Sequence, residues 1–311
     1  MLIKIMSLDK RNCRPFEQLV LPLFPGYLDR LDQAELVALG AQADSRPAGL
    51  LLAGAVPSVK HPGTWETDHW EARQIYVPPA ERRKGVGREL LLALEALLRE
   101  RGVGRLSLTY TLEETRSQAV DAFIVKCGWP EPVTVSRQYR ISRSRLNSRW
   151  LGLPGREVRR CRLPEGVSVT DFTTLTEREK EELAAGWDLW YPAHLAPLDG
   201  PDRLNLENSL LLRADGVIAG WLYALKFLSG SVYYRGVFVK TEYRARAYGF
   251  YLLAAAVNLQ LERGDTNAVF AVNVKNRRMQ GLIDNLLGGD YDYVWETKVV
   301  KKAIGTKERY G

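Results

Sequence analysis

From Val77 to Gly102 the chain reads VPPAERRKGVGRELLLALEALLRERG, and residues with chemical potential crowd its first third. Arg82, Arg83 and Lys84 place cations on a turn that also contains Gly85 and Gly87. A helix follows, with Leu90, Leu91, Leu94, Leu97 and Leu98 on one face and Glu89, Glu95, Arg99 and Glu100 over the rest. A helix opening near Gly87 has first amides without intrahelical acceptors and a dipole that is positive at that end. Glycines there remove side chains where main chain must approach a ligand. The chemistry expected of Arg82, Arg83, Lys84, Gly85, Val86, Gly87 and Arg88 is therefore the grip of a phosphate or diphosphate. Eleven residues before Arg82, on the strand leading into the turn, stands Glu71.

Two common phosphate motifs do not fit. A P-loop needs G-x-x-x-x-G-K-[ST], which is absent, and a dinucleotide fingerprint needs a third glycine where the chain has Leu90.

The strand WEARQIYV must position Glu71 and deliver the chain, through Ile75, Tyr76 and Val77, to the basic turn. The same plan recurs 162 residues later: Arg73 falls on Arg235, Val77 on Val239, Arg82 on Arg244, Gly87 on Gly249 and Gly102 on Gly264. Each helix then leads to a strand (RLSLTYT, AVFAVNV), a second helix ending at glycine (AVDAFIVKCGW, RRMQGLIDNLLGG) and a last strand (VTVSRQYRIS, YVWETKVVKKAI). One offset running through strand, turn and helix reads as a tandem duplication. Ahead of the motif, the first copy reads as strand Leu2–Met6, helical material over Pro15–Asp32, strands ELVALGAQ and AGLLLAGAV, and a long loop PSVKHPGTWETDH. The second reads as strand VSVTDF, a helix TEREKEELAAGWDLW with a Thr176–Glu179 capping box, and strands SLLLRADG, VIAGWLYALKF and SVYYRGVFV. The expected architecture is α/β (α+β), with two domains at 1–143 and 167–311, each a twisted mixed sheet flanked by helices, and an Arg/Gly/Pro-rich linker at 144–166.

The signature R-x-x-G-x-G after a V-x-P strand end closely resembles the acetyl-CoA-binding motif of the GNAT N-acetyltransferases, and AVDAFIVKCGW resembles the family's A-x-x-x-Y-x-x-x-G-F segment, with Trp129 for Phe. The resemblance covers nearly the whole chain as two GNAT-like halves, of which the first has the intact signature. It implies that the amides of the 82–88 loop hold the diphosphate of coenzyme A, and that Ile75, Tyr76 and Val77 pair with the pantetheine arm. It further implies acetyl or short acyl transfer from acyl-CoA to a primary amine, by direct attack in a ternary complex. An amine of pKa roughly 10.4 needs a base or desolvation at neutral pH. Glu71 is the candidate, with Glu66, Asp68 and His69 on the preceding loop as runners-up, and an ordinary strand residue paired with Arg73 as the alternative role. The family's general acid is a tyrosine in the second motif, where this chain has Ile124 and, in the second copy, a position near Ile283. That departure leaves Tyr110 and Tyr76 as unranked substitutes and keeps open a non-catalytic acyl-CoA-binding or regulatory module. In the second copy Arg246, Ala247 and Tyr248 replace Lys84, Gly85 and Val86, so that half is expected to bind CoA poorly.

The rest of the composition narrows the class. Length 311, net charge +7 and 46% hydrophobic content suit a globular protein with anionic partners. Cys13, Cys127 and Cys161 form no C-x-x-C, so neither a disulfide framework nor a metal site is expected, and Cys127 reads as core. No apolar run approaches the roughly 20 residues of a membrane span, and the start does not read as a signal peptide. The expectation is a cytoplasmic protein, preferably monomeric with a homodimer as the alternative, acting on a small-molecule or peptide amine. No base-stacking motif supports a nucleic-acid partner. The acceptor is expected near KHPGTWETDHW, and the aromatics of GWDLWYPAHLAPLDG read as core before pocket wall.

Overall fold

The structure, a computed structural model, describes residues 3–58, 64–149, 163–186, 189–198, 204–226, 230–246, 248–264 and 267–305. The first part of the chain forms β1 (Ile3–Ser7), β2 (Leu36–Ala43), β3 (Arg46–Pro57), β4 (Trp65–Tyr76), α1 (Val86–Glu100), β5 (Arg105–Glu113), α2 (Glu114–Lys126), β6 (Val133–Ser142) and α3 (Arg143–Arg149). The second forms β7 (Val167–Asp171), α4 (Glu177–Ala185), β8 (Leu210–Ala214), β9 (Val217–Lys226), β10 (Ser231–Val239), α5 (Tyr248–Arg263), β11 (Asn267–Asn273), α6 (Arg277–Leu287) and β12 (Tyr293–Ala303). None of the described helices is long and apolar enough to cross a membrane.

Two compact units result. Unit 1 comprises 1–135 together with 296–311, and unit 2 comprises 136–295. The expected halves, 1–143 and 167–311, differ from these in their last strands. The strand closing the first copy in sequence belongs from Ser136 to unit 2, and β12 belongs from Glu296 to unit 1. The stretch expected to be linker begins as helix α3, and its 150–162 portion lies outside the described residues.

In unit 1 the strands run in the order β1-β2-β3-β4-β5-β12, antiparallel from β1 to β4 and parallel between β4 and β5. The apolar run GLLLAGAV of β3 is continuous because both faces of this sheet are covered. Leu51 and Ala53 join Leu90, Leu91, Leu94 and Leu98 of α1 on one side, while Leu50 and Leu52 join Phe16 and Tyr27 on the other. The segment read as helical at Pro15–Asp32 instead makes short 3-10 turns at Arg14–Leu19 and Leu28–Arg30. Pro15, Pro22 and Pro25 remove amide donors too often for a continuous α-helix.

Unit 2 orders its strands β6-β11-β10-β9-β8-β7, with α5 and α6 on one face. Trp190, Tyr191, Trp221 and Phe238 pack on one another on the other face, with ring centroids 4.6–6.1 Å apart. Trp190 and Tyr191 after α4 are thus part of the core, Trp187 lies outside the described residues, His194 is exposed, and the Thr176–Glu179 capping box forms as expected.

Glu95 departs from its expected place on the polar side of α1. It is 5% exposed, accepting from Trp129 Nε1 at 2.7 Å and from Lys302 Nζ at 2.8 Å through both oxygens. Lys302 lies on the last strand, 207 residues away, so local periodicity carries no sign of this partner. Substituting Lys302→Ala strands a buried carboxylate with one neutral donor, an expected cost of about 3 kcal/mol to unit 1. Urea unfolding followed by circular dichroism reads that loss, and the pair Glu95→Leu with Lys302→Met recovers most of it. An unshifted unit 1 transition in Lys302→Ala contradicts this packing.

Candidate active site

β4 and β5 pair in parallel only from His69–Arg105 to Ala72–Leu108. Both strands continue, β4 to Tyr76 and β5 to Glu113, but they part company. Beyond Ala72, β4 stays bonded to β3 through Gln74–Leu52, Ile75–Leu51 and Tyr76–Leu50. Its other edge therefore faces a fork and offers main-chain donors and acceptors to an extended ligand. The cause of the parting is local: Arg73 is an extra residue in the β3–β4 ladder, and a bulge bends and twists its strand. The Arg73 guanidinium donates to Ala55 O at 3.1 Å, which ties the bulge down. Ile75 and Val77 pack at the edge of the α1-side core.

After Val77 the chain makes a short 3-10 turn, Pro79–Glu81, and then the basic turn. Arg83 at φ 62° and Gly85 at φ 88° both adopt left-handed backbone. Gly85 is the N-cap of α1, and no side chain caps the helix; the first intrahelical bond runs from Glu89 N to Gly85 O at 3.1 Å. The amides of Gly85, Val86, Gly87 and Arg88 thus form an unsatisfied, positively polarised group. The two glycines serve different ends. Nothing stands within 4 Å of where a Gly85 Cβ would be, so its requirement is the left-handed φ. A Cβ on Gly87 would meet the Phe123 ring at 3.2 Å, so that glycine also lets α2 pack against the helix start.

The cations divide likewise. Arg82 turns back, its Nε donating to Val77 O at 3.0 Å, and braces the loop; Arg244 repeats this bond to Val239 O at 2.9 Å in unit 2. Lys84 pairs with Glu81 at 3.1 Å, Arg88 approaches Glu89 at 3.4 Å, and Arg83 is exposed beside the helix start. Val86 is buried, closing the turn on the core.

Glu71 lies one residue before the last parallel pair, at the throat of the fork, and accepts from Thr109 Oγ1 at 2.7 Å. From Glu71 to Tyr76 the strand covers about 17 Å, so the carboxylate and the basic turn stand at opposite ends of the open edge. Glu66, Asp68 and His69 are not on a loop: β4 already begins at Trp65. They gather at the amino end of β5, away from the fork. Asp68 accepts from Gly104 N at 2.7 Å and Arg105 Nε at 3.2 Å, and His69 Nε2 lies 2.9 Å from Ser107 Oγ with Glu66 3.5 Å from Nδ1. Burial, then Arg105 and Lys301, hold the His69 pKa below its usual value. Of the loop expected to meet the acceptor, 59–63 lies outside the described residues.

Ile124 is 1% exposed in the core of unit 1. Tyr110, on the fork segment of β5, donates to Asp121 Oδ1. Lys298 Nζ holds the other oxygen of Asp121 at 2.6 Å, lies 3.1 Å from Ser117 Oγ and 3.6 Å from Glu296. Burial, then Asp121, pushes the Tyr110 phenol well above its normal range, so its proton is committed to that carboxylate. The sequence reading missed this network, since its members sit on β5, α2 and β12; the one local trace is Ser117 and Asp121, four apart on a helix that otherwise buries Ile124. Cys127 is buried at the end of α2, and burial raises its thiol pKa, in keeping with a core position.

Unit 2 repeats the fork at the same offset. β10 and β11 pair in parallel from Ser231–Asn267 to Tyr234–Phe270, and a register shift at Arg235 matches that at Arg73. Glu71 becomes Tyr233, whose phenol burial pushes upward. Tyr248, 1% exposed, fills the place of Val86; Ala247 lies outside the described residues.

Residues 2–129 and 172–288 match the sequence model of the Acetyltransferase (GNAT) family, one segment within each unit. No curated protein matches the chain. Among solved structures, a tandem GNAT protein from the clavulanic acid biosynthesis pathway superposes at TM-score 0.67 and 17% identity, covering 99% of this chain and 100% of that one. A GCN5-related N-acetyltransferase from Sphaerobacter thermophilus reaches 0.57 at 16% identity, covering 97% and 96%. A probable N-acyltransferase from Enterococcus faecalis reaches 0.51 at 12%, covering 98% and 73%. At these identities the likeness speaks for the fold. With the two family segments it establishes that the chain belongs to the acetyltransferase (GNAT) family as a tandem of two such domains, and that its reaction class is acyl transfer from coenzyme A.

Proposed function

We propose that unit 1 binds acetyl-CoA, or another short acyl-CoA, and transfers the acyl group to a primary amine of a small molecule or peptide. The carrying observation is the fork: an open β4 edge with a carboxylate at its throat and an uncapped, cation-flanked helix start at its mouth. The amides of Gly85 to Arg88, with Arg83, Lys84 and Arg88 around them, take the diphosphate. The pantetheine arm lies along Ile75, Tyr76 and Val77, which brings the thioester carbon to Glu71. There the amine attacks the carbonyl carbon, Glu71 accepts the ammonium proton, the tetrahedral oxyanion collapses, and the C–S bond breaks to release CoA thiolate. Thr109, donating to Glu71, orients the carboxylate. With Ile124 buried and the Tyr110 proton held by Asp121, the thiolate takes its proton from solvent; a leaving thiol of pKa about 8.5 tolerates this. Unit 2, with Tyr248 at its helix start, does not take the diphosphate. The setting in this proposal is cytoplasmic and monomeric.

The absent tyrosine favours a second reading, a unit that binds acyl-CoA without turning it over. Thiol release from acetyl-CoA over a panel of amines separates the two. Release above the hydrolytic background supports transfer; tight binding without release on any amine supports the module.

Substituting Arg83→Ala with Lys84→Ala is expected to raise the acetyl-CoA Kd by roughly tenfold or more, since hydrogen bonds to charged groups contribute about 1.5–3 kcal/mol each. Isothermal calorimetry reads this, and an unchanged Kd contradicts the diphosphate site. For Glu71→Gln, kcat is expected to fall roughly 10²-fold or more, with little change in the Kd for acetyl-CoA. A variant that keeps its kcat removes Glu71 as the base.

A further inference from the structure

Unit 2 keeps the fork but fills it in another way. Beneath α5 and α6, where β10 and β11 part, lies a cavity of about 110 Å3. Its walls include Val237, Leu253, Val257, Val272, Met279 and Ile283. At the offset of 162, four of these correspond to Glu95, Tyr110, Ser117 and Asp121 of unit 1. Those residues carry the half-buried hydrogen bonds to Lys298, Lys302 and one another. One copy therefore fills this space with a charged network, and the other lines it mainly with hydrocarbon, with Tyr234 and Arg235 also in the wall. An engineered apolar cavity of about 150 Å3 stays dry and takes up benzene, so a hollow of this kind suits a short alkyl or aryl group.

A second hollow, of about 440 Å3, opens beside the first and is lined by Arg137, Lys275, Arg277, Gln280 and Val274, with no carboxylate in its wall among the described residues. β6 and α6 take part in both: β6 gives Ile141 to the apolar cavity and Arg137 to the basic one, and α6 gives Met279 and Arg277. β11 gives Val272 to the first, and the turn after it gives Val274 and Lys275 to the second. Two residues span at most about 7 Å of chain, so Val272 at the end of β11 and Val274 in the turn after it set the two hollows close to each other. Apolar space below and cations at the rim match an anion that carries a hydrocarbon tail.

We propose that unit 2 holds a site for a small carboxylate with an aliphatic or aromatic tail. The tail lies among Val257, Val272 and Ile283, and the carboxylate is met by Arg137, Lys275 and Arg277. The site is independent of the acetyl-CoA reading of unit 1, and its test keeps the two apart.

Sodium octanoate is titrated calorimetrically into the full chain, with and without saturating acetyl-CoA. The expected result is one octanoate per chain with a Kd that acetyl-CoA leaves unchanged, and octan-1-ol binding at least tenfold more weakly. Filling the cavity with Val257→Phe or Ile283→Phe abolishes octanoate binding. Replacing the exposed rim residues together, Arg137→Ala, Lys275→Ala and Arg277→Ala, raises the octanoate Kd at least tenfold and leaves octan-1-ol unchanged. The rim variant decides the matter where a filled variant does not fold. No heat at millimolar octanoate, binding that survives filling or rim removal, or displacement by acetyl-CoA overturns the proposal.

Discussion

A parallel strand pair that stops after four residues is the constraint on which unit 1 turns. Had β4 and β5 stayed bonded past Ala72 and Leu108, the main chain of Gln74 to Tyr76 would be satisfied on both edges and closed to any ligand. The single inserted residue, Arg73, bends β4 away while its own side chain is pinned to Ala55 O. The bulge also fixes where the chain leaves the sheet, and so where the left-handed Gly85 starts α1. α1 in turn is held by Leu90, Leu91, Leu94 and Leu98, none of them exposed, each contributing about 1.5–3 kcal/mol of burial. An anion site made of backbone amides needs such a rigid support, because the amides must be aimed before the ligand arrives.

The duplication separates what the backbone dictates from what side chains decide. Both units carry the bulge, the fork and the arginine that braces the turn onto the strand end. They differ in what stands around that frame. Unit 1 has a carboxylate at the throat and a valine at the helix start; unit 2 has Tyr233 and the buried Tyr248. Unit 1 closes the space beneath α2 with Asp121, Lys298 and Tyr110, whereas unit 2 leaves it apolar. A frame set by hydrogen-bond register has thus been kept while the chemistry inside it has diverged.

Much of this was legible in the residues. The offset of 162 survives because strand register and helix length tolerate no insertion between the bulge and the helix-ending glycine, and VTVSRQYRIS and SVYYRGVFV match β6 and β10 to the residue. The basic turn could be read because an uncapped helix start needs glycine in a left-handed conformation. What stayed hidden depends on partners distant in sequence. Glu95 looked like a surface residue because Lys302 is on the last strand, and the allotment of β6 and β12 between units leaves no local mark. The early start of β4 at Trp65 was masked by the Gly- and Pro-bearing stretch before it, which moved Glu66, Asp68 and His69 from an expected loop onto the strand. Gly87 was read as clearance for a ligand, whereas the Phe123 ring supplies a reason internal to the fold.

Hydrogen–deuterium exchange with and without acetyl-CoA reads directly the amides of β4 and of the α1 start that would grip coenzyme A. The expected result is slowed exchange over Arg73–Val77 and Arg83–Arg88, with Arg235–Val239 and Thr241–Gly249 unchanged. Protection confined to the second pair of segments, or to neither, would contradict it.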